Sequence, residues 1–307
     1  MSGGALERLV DALLARSPLQ PLFASRQRRL SVLAYHRVED PLRFEAHLDH
    51  LAKAWSVISL EQALEAMRGG ADLPQRAVLV TFDDADRGLL EDGLPLLLER
   101  GMPAVAFVIA GLLGTARPPW FLEVEHLVAS GGRLPGLPAP AGRDLVRHMK
   151  TVPEVERLRL LDALRASAAT PAPPFPQLTP AELSALEAGG LAVASHGTTH
   201  PCLPRCDDLQ ARREVVEAHE ILARALSHPP APVFAYPNGD ADPRAEEALA
   251  GLGYRLGLLF DHRRSPWPPP RPFRVSRLRV NSDTSLDRFR IILSGLHPAL
   301  HRARGGR

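Results

Sequence analysis

The sequence predicts an α/β protein whose parallel β-sheet is open or closed into a barrel, and three patterns in its 307 residues support this. Short apolar runs rich in valine, leucine and phenylalanine show little polar alternation, which is typical of strands covered on both faces. Helical patterns separate these runs, and an alternation of strands with helices indicates βα units. Polar residues directly follow four of the runs, as expected where strands end at an active-site face.

Six strands and four helices carry this alternation. The third helix is expected to stop before Gly101, and the fourth begins with two aspartates that suit an N-cap. The strands are expected at Ser31–Tyr35, Ala77–Phe82, Ala104–Ile109, Leu191–Ser195, Pro232–Tyr236 and Tyr254–Phe260. The helices are expected at Phe44–Ala54, Leu60–Met67, Leu89–Arg100 and Asp207–Leu226.

The stretch from residue 111 to residue 177 breaks the alternation. It contains two helical patterns, Trp120–Ala129 and Glu154–Ala166, between segments rich in proline and glycine, and it has no convincing strand. Loops on the C-terminal face of a barrel carry specificity. We therefore expect a helical insertion that forms a lid or one wall of a substrate groove.

The chain is expected to have three parts: an N-terminal amphipathic helix and connector (residues 1–29), a main domain (residues 30–295) and a basic tail (residues 296–307). The first helix carries charges inside its apolar pattern, so it does not resemble a signal peptide. No run of about 18 apolar residues predicts a membrane span, and we expect a cytoplasmic protein. The apolar face of the first helix is Leu6, Leu9, Val10, Leu13 and Leu14.

Composition and charge argue against several classes of function. The formal net charge is +2 and the arginines are scattered, so nothing predicts nucleic-acid binding. The two cysteines, Cys202 and Cys206, are too few for a disulfide framework, and we interpret them as ordinary small residues instead of metal ligands. Aromatic residues make up 5% of the chain, so few can stack on sugars beyond Trp55, Trp120 and Trp267.

Polar residues stand at the ends of four predicted strands. His36 follows the first strand, Asp83 and Asp84 follow the second, His196 follows the fourth, and Tyr236 closes the fifth. The C-terminal ends of parallel strands open on one face of a βα sheet or barrel. We therefore expect these side chains to converge on one mouth.

His196 and His200 are four residues apart, so one helical turn would let both imidazoles face one metal ion. Such a pair alone is weak evidence, and an aspartate at a strand end can simply cap the next helix. The adjacent aspartates Asp83 and Asp84 strengthen the case, because two buried carboxylates repel unless a cation holds one of them. The other then stays an ionised base. Two histidines and one aspartate leave a coordination position for water, the pattern of a catalytic metal site.

Three motifs resemble those of the polysaccharide deacetylase family, carbohydrate esterase family 4. They are Thr-Phe-Asp-Asp at residues 81–84, Ser-His-Gly-Thr-Thr-His at residues 195–200, and Phe-Ala-Tyr-Pro-Asn-Gly at residues 234–239. Together they are specific, and the resemblance covers about residues 30–295. Tyr-His-Arg-Val at residues 35–38 resembles a branch with the acid histidine at the N-terminus, often associated with exopolysaccharide or poly-N-acetylglucosamine-type glycans.

The resemblance implies a distorted (β/α)₇ barrel and a role for each matching residue. Asp83 is expected to be the general base. Tyr236 is included among the catalytic residues because the backbone that follows it is the expected oxyanion donor. His36 is expected to protonate the leaving amine, in preference to His297, which follows a C-terminal helix. The expected ligands of a divalent metal, usually Zn²⁺, are Asp84, His196 and His200.

The expected reaction is metal-dependent hydrolysis of N-acetyl groups on an N-acetylglucosamine-type polysaccharide or oligosaccharide, with release of acetate. The sequence departs from the family pattern at four points. Ala85 replaces a common glycine and no arginine precedes Pro237. The usual Asp-x-x-Asp-Trp motif is not evident, and neither is a clear Leu-x-His in a late strand. Two alternatives therefore stay open, a glycan-binding member that has lost turnover and a hydrolase of another amide on the same fold.

Overall fold

A parallel β-sheet curls into a distorted barrel with helices around it, which confirms the predicted fold class. The computed structural model describes residues 11–15, 17, 30–134 and 142–303. Each predicted strand is present within its expected range, whereas two strands of two residues each, Ser56–Val57 and Leu278–Arg279, are not among the predictions. The strands are β1 (Ser31–Tyr35), β2 (Ser56–Val57), β3 (Ala77–Phe82), β4 (Ala104–Val108), β5 (Leu191–Ser195), β6 (Val233–Ala235), β7 (Leu256–Leu258) and β8 (Leu278–Arg279).

The strands follow the order β7-β6-β5-β4-β3-β1-β8, and all the pairs are parallel. The short β2 pairs with the start of β3, at Ala77 and Val78, while β4 pairs with its end, at Thr81 and Phe82. Because side chains alternate along a strand, Ala77 and Leu79 face the barrel interior, whereas Val78 and Phe82 face the helices. The same alternation directs Thr81 towards the interior.

Residues 275–279 join the two edges of the sheet. The Val275 N–H donates to the Gly257 carbonyl at 2.8 Å, and the Val275 carbonyl accepts from Leu259 N–H at 2.8 Å, so this residue pairs with the β7 edge. Three and four residues later, β8 pairs with β1. Arg277 lies between the two pairings, completely buried. This short connection completes the barrel and carries a charged side chain into it.

Helices surround the sheet, and capping residues determine several of their ends. Asp40 accepts a hydrogen bond from Arg43 N–H and Pro41 occupies the first turn, so the first helix begins three residues before the predicted start. The helices are α1 (Pro41–Ala54), α2 (Leu60–Met67), α3 (Leu94–Glu99), α4 (Trp120–Ala129), α5 (Gly142–Met149), α6 (Glu154–Ser167), α7 (Pro180–Ala188), α8 (Asp208–Leu226), α9 (Pro243–Gly251), α10 (Leu286–Ser294) and α11 (Leu296–Ala303).

The single helix predicted at Leu89–Arg100 is wrong in detail. A π-helical turn at Leu89–Gly93 leads into α3. Pro95 has no N–H to donate to the carbonyl four residues earlier, so a regular α-helix cannot run through this point.

The insertion forms a small helical layer with its own core. Its described residues contain no strand, as predicted, and α4 has the predicted bounds. Helix α5 was not among the predicted helices. A role as a lid or groove wall stays a prediction. The buried core of this layer consists of Trp120, Val124, Leu127, Leu134, Leu145, Val146, Met149, Leu161 and Leu164.

The N-terminal helix is described only at residues 11–15. Asp11 is buried and accepts a hydrogen bond from Arg288 Nε at 2.7 Å. Leu13, on the predicted apolar face, is 64% exposed. Leu6, Leu9 and Val10 lie outside the described residues. Within those residues, no helix combines the length and apolar character needed to cross a membrane.

A buried ion pair within α6 packs against α4. Arg157 and Glu154 are each 3% exposed, and Arg157 Nε donates to Glu154 Oε2 at 2.6 Å. The guanidinium carbon also lies 4.6 Å from the centre of the Trp120 ring. A buried charge is tolerated only with such a partner, so this pair is important for the integrity of the insertion.

Replacing Arg157 with alanine should destabilise the protein, because Glu154 would stay buried without its counter-charge. The expected loss in the free energy of unfolding is about 3–5 kcal/mol, measured by chemical denaturation. Arg159→Ala is the matched control on the same helix, since Arg159 pairs with Glu156 in an exposed position and should cost less than about 1 kcal/mol. Equal losses in the two variants would contradict the assignment.

Candidate active site

A cavity of about 420 Å³ opens at the C-terminal ends of the strands. The predicted residues His36, Asp83, Asp84, His196 and His200 all line it, so the structure brings them together. A larger cavity of about 650 Å³ lies at the opposite ends of the strands, and it contains none of these residues. The smaller cavity is therefore the candidate active site. Its other lining residues are Phe121, Lys150, Asn238, Gly239, Asp240, Phe260 and Arg279.

Asp84, His196 and His200 surround one point in this cavity. The Oδ1 atom of Asp84 lies 3.6 Å from Nε2 of each histidine, and the three donor atoms lie within 4.8 Å of one another. Asp84 and His200 both have left-handed backbone conformations, with φ of 59° and 61°. These angles are uncommon for residues other than glycine, and they are concentrated at functional sites.

The donor atoms fit a divalent cation. Asp84 Oδ1 is buried and has no hydrogen-bond partner within the described part of the chain, and a cation would satisfy it. The His196 Nδ1–H donates to the Ala235 carbonyl at 2.7 Å, which leaves the Nε2 lone pair facing the cavity. Burial and the adjacent His196 lower the pKa of His200, so its imidazole is neutral, as a metal ligand requires.

The carboxylate of Asp83 forms a bidentate ion pair with Arg277. The Nη1 and Nη2 groups donate to Oδ1 and Oδ2 at 2.6 Å and 2.7 Å, and Nη1 also donates to the Thr81 hydroxyl at 3.1 Å. Burial alone would raise the pKa of Asp83, but the charge and hydrogen bonds of Arg277 hold that pKa well below its ordinary 3.8. Asp83 therefore stays ionised although it is only 3% exposed.

Arg277 changes the interpretation of the third motif. No arginine precedes Pro237, but the guanidinium of Arg277 reaches Asp83 from the segment that closes the barrel. Sequence reasoning missed Arg277. Its only sign is the alternation of arginine with apolar residues at residues 277–280, a pattern equally typical of an ordinary half-exposed strand.

Tyr236 lies away from the cavity. Its side chain is fully buried against Phe234 and Tyr254, and its own N–H donates to the Leu258 carbonyl at 3.1 Å. Pro237 has no N–H, so the first N–H after Tyr236 belongs to Asn238, which does line the cavity. The predicted oxyanion donor therefore corresponds to the Asn238 N–H, and its role stays a prediction.

The two histidines considered as the acid occupy different places. His36 is half-buried and lines the cavity, with its ring centre 5.1 Å from that of Phe260. His297 lies in α11, where Nδ1 is 2.8 Å from His262 Nε2 and Nε2 is 3.0 Å from Arg288 Nη1. His297 does not line the cavity, so of the two only His36 stands where substrate can reach it.

The insertion contacts the second histidine directly. The indole N–H of Trp120 donates to the His200 carbonyl at 2.9 Å, and the Phe121 ring centre lies 5.2 Å from the His200 ring centre. Trp120 is buried and cannot stack on a sugar from the cavity side. The aromatic side chains that do line the cavity are Phe121 and Phe260.

Neither cysteine belongs to the group of metal-binding candidates. Cys202 and Cys206 are buried free thiols, and the Asn238 amide donates to Cys202 Sγ at 3.2 Å. Burial raises the pKa of Cys202 to about 11, so this thiol is protonated at neutral pH and is a poor ligand.

Comparison with known proteins identifies the family. A model of the polysaccharide deacetylase family matches residues 70–257, which is more than half of the chain. The chain belongs to the polysaccharide deacetylase family. This membership makes it a hydrolase that acts on carbon–nitrogen bonds other than peptide bonds. A search among curated proteins found no match.

Three solved structures share this polysaccharide deacetylase fold. The IcaB structure from Ammonifex degensii is 21% identical, with a TM-score of 0.60 over 87% of this chain and 97% of that one. The Streptococcus pyogenes deacetylase PplD, in complex with acetate, is 16% identical, with a TM-score of 0.60 over 85% and 96%. A de-N-acetylase from Aggregatibacter actinomycetemcomitans is 16% identical, with a TM-score of 0.57 over 86% and 99%. At these identities the likeness concerns the fold.

Arg277→Met should destabilise the protein in a pH-dependent way, because it leaves the Asp83 carboxyl buried without a counter-charge. The expected loss in unfolding free energy at neutral pH is about 3–5 kcal/mol. In the wild type the depressed pKa of Asp83 stabilises the fold above its ordinary value of 3.8, and this contribution declines as the pH falls below it. The difference between variant and wild type should therefore shrink as the pH falls below 3.8.

Denaturation series at several pH values measure this difference. Arg274→Met is the control on the same segment, since Arg274 pairs with Glu246 in a part-exposed position and should cost less than about 1 kcal/mol. A loss in Arg277→Met that does not depend on pH would show that packing, and not the charge of Asp83, accounts for the effect.

Proposed function

We propose that the protein uses a divalent metal ion to remove N-acetyl groups from N-acetylglucosamine-type units of a polysaccharide or oligosaccharide, with release of acetate. The observation that carries the proposal is the convergence of Asp84, His196 and His200 on one point beside the buried carboxylate of Asp83. Two imidazoles and one carboxylate suit Zn²⁺ and leave a position for water or substrate.

Asp83 acts as the base in this proposal. An ion held by the three ligands supplies Lewis-acid chemistry, which polarises an acetamide carbonyl and makes a water molecule more acidic. Asp83 Oδ2 lies 4.0 Å from His196 Nε2, so this oxygen faces the ligands and can accept the proton of the attacking water. Arg277 keeps the carboxylate in the ionised form that a base needs.

His36 and the third motif complete the proposed reaction. His36 in its imidazolium form donates a proton to the sugar nitrogen as the bond between that nitrogen and the acetyl carbon breaks. The Asn238 N–H donates to the carbonyl oxygen as it becomes negative. Both residues line the cavity that contains the metal ligands, so all the groups can reach one acetamide.

The choice of glycan rests on sequence and on the fold. The motif around His36 resembles that of the exopolysaccharide branch, and a solved structure with the same fold is described as a de-N-acetylase. Phe121 and Phe260 offer apolar surfaces of the kind that pack against sugar rings. Acetate release from a panel of N-acetylated chitooligosaccharides tests the proposal. Release only from other acetylated amides, or from none of the substrates, would overturn it.

Single replacements of Asp84, His196 or His200 should remove the metal, because three protein ligands leave no redundancy. Asp83→Asn is the matched control, since it should retain the metal and lose turnover by about 10²- to 10⁴-fold, the usual contribution of a general base. Elemental analysis after dialysis, together with acetate release, measures both effects. Full metal occupancy in the ligand variants, or metal loss in the control, would show that the roles are assigned wrongly.

His36→Ala should lower turnover by about 10²- to 10⁴-fold and retain the metal, because it removes the acid but no ligand. The pH–rate profile should lose the limb that reports the acid. His297→Ala should leave turnover nearly unchanged, since His297 does not line the cavity. The reverse order of effects would assign the acid to the C-terminal histidine.

A further inference from the structure

The loop that carries both histidine ligands has an unfavourable backbone shape. Residues 196–200 must direct two imidazoles to one point, and they do so with positive φ angles at Gly197 (81°) and His200 (61°). A left-handed conformation costs a residue other than glycine about 1–2 kcal/mol. Contacts from outside the loop must therefore hold it in this shape.

Trp120 supplies one such contact through the His200 carbonyl, the backbone N–H groups of residues 110 and 111 supply two more, and Glu214 supplies a further group. Glu214 lies on α8 and is only 5% exposed. Its Oε2 accepts hydrogen bonds from the N–H groups of Thr198 and Thr199, each at 2.8 Å. Its Oε1 accepts from the Thr199 hydroxyl at 2.6 Å. Both oxygens are thus occupied by the two residues that lie between the histidines.

The helix and the loop are also joined through the backbone. The Thr198 hydroxyl donates to the main-chain carbonyl of Glu214 at 3.0 Å. Glu214 forms no ion pair with any described residue, so hydrogen bonds to the loop are what stabilise its buried carboxylate. The Glu214 side chain therefore serves to hold the loop that carries the two histidines.

We propose that Glu214 is a positioning residue for the metal site, which fixes the loop so that His196 and His200 point at the same ion. The inference rests on the proposed function, because it assumes that the two histidines bind a metal. Groups that orient metal ligands commonly contribute 10- to 100-fold in affinity. Glu214 acts indirectly, through the backbone of the loop, and contacts neither the ion nor the substrate.

Apparent dissociation constants for Zn²⁺, measured against a chromophoric chelator, test the role. Glu214→Ala should raise the constant by about 10- to 100-fold. Glu214→Gln should stay within about threefold of wild type, because the amide oxygen can accept both N–H groups while its NH₂ donates to the Thr199 hydroxyl. Glu217→Ala is the matched control, since Glu217 lies one turn along α8 in an exposed pair with Arg213 and should not change the constant.

A smaller variant keeps the test decisive if Glu214→Ala fails to fold. Thr199→Val removes only the hydroxyl donor and should raise the constant by about 2- to 10-fold, the effect of one hydrogen bond. Wild-type affinity in a folded Glu214→Ala, or in Thr199→Val, would overturn the positioning role. A wild-type protein that binds no Zn²⁺, or whose binding survives His196→Ala, would instead overturn the proposed function.

Discussion

The ion pair between Asp83 and Arg277 is the interaction on which the active-site end of the barrel depends. It joins the end of β3 to the segment that closes the sheet, and it lies where water cannot screen it. Neither charge could stay buried alone, so the two residues require each other. The pair stabilises the closure of the barrel and keeps the proposed base ionised through the same two hydrogen bonds. A single contact therefore links the closure of the barrel to the ionisation state of the proposed base.

The same coupling appears around the proposed metal ligands. Asp84 and His200 adopt left-handed backbone conformations, and the loop between the histidines contacts both the insertion and α8. The strain at His200 is balanced by hydrogen bonds that the loop makes with Trp120 and Glu214. The insertion thus contributes to the geometry of the site, because Trp120 bonds to the His200 carbonyl, and Phe121 lines the cavity.

Much of the fold and most of the candidate site could be predicted from the sequence, since both depend on local patterns. Apolar runs revealed each strand long enough to show periodicity, and the polar residues after them marked the mouth that contains His36, Asp83 and His196. The two-residue β8 has no such pattern, so Arg277 escaped notice. The sequence analysis puts Tyr236 at the end of a predicted strand. The sequence does not show which face of the strand carries its side chain, which in the structure is buried in the core.

The segment that closes the barrel also affects the order in which the parts of the active site are synthesised. The region that matches the family, residues 70–257, contains the proposed metal ligands and base but ends before Arg277 and begins after His36. During synthesis all three family motifs leave the ribosome before the guanidinium that the base requires. A nascent or clipped chain that stops short of residue 277 would thus have recognisable motifs without a competent site. The proposed site is therefore complete only when the segment that closes the barrel is in place.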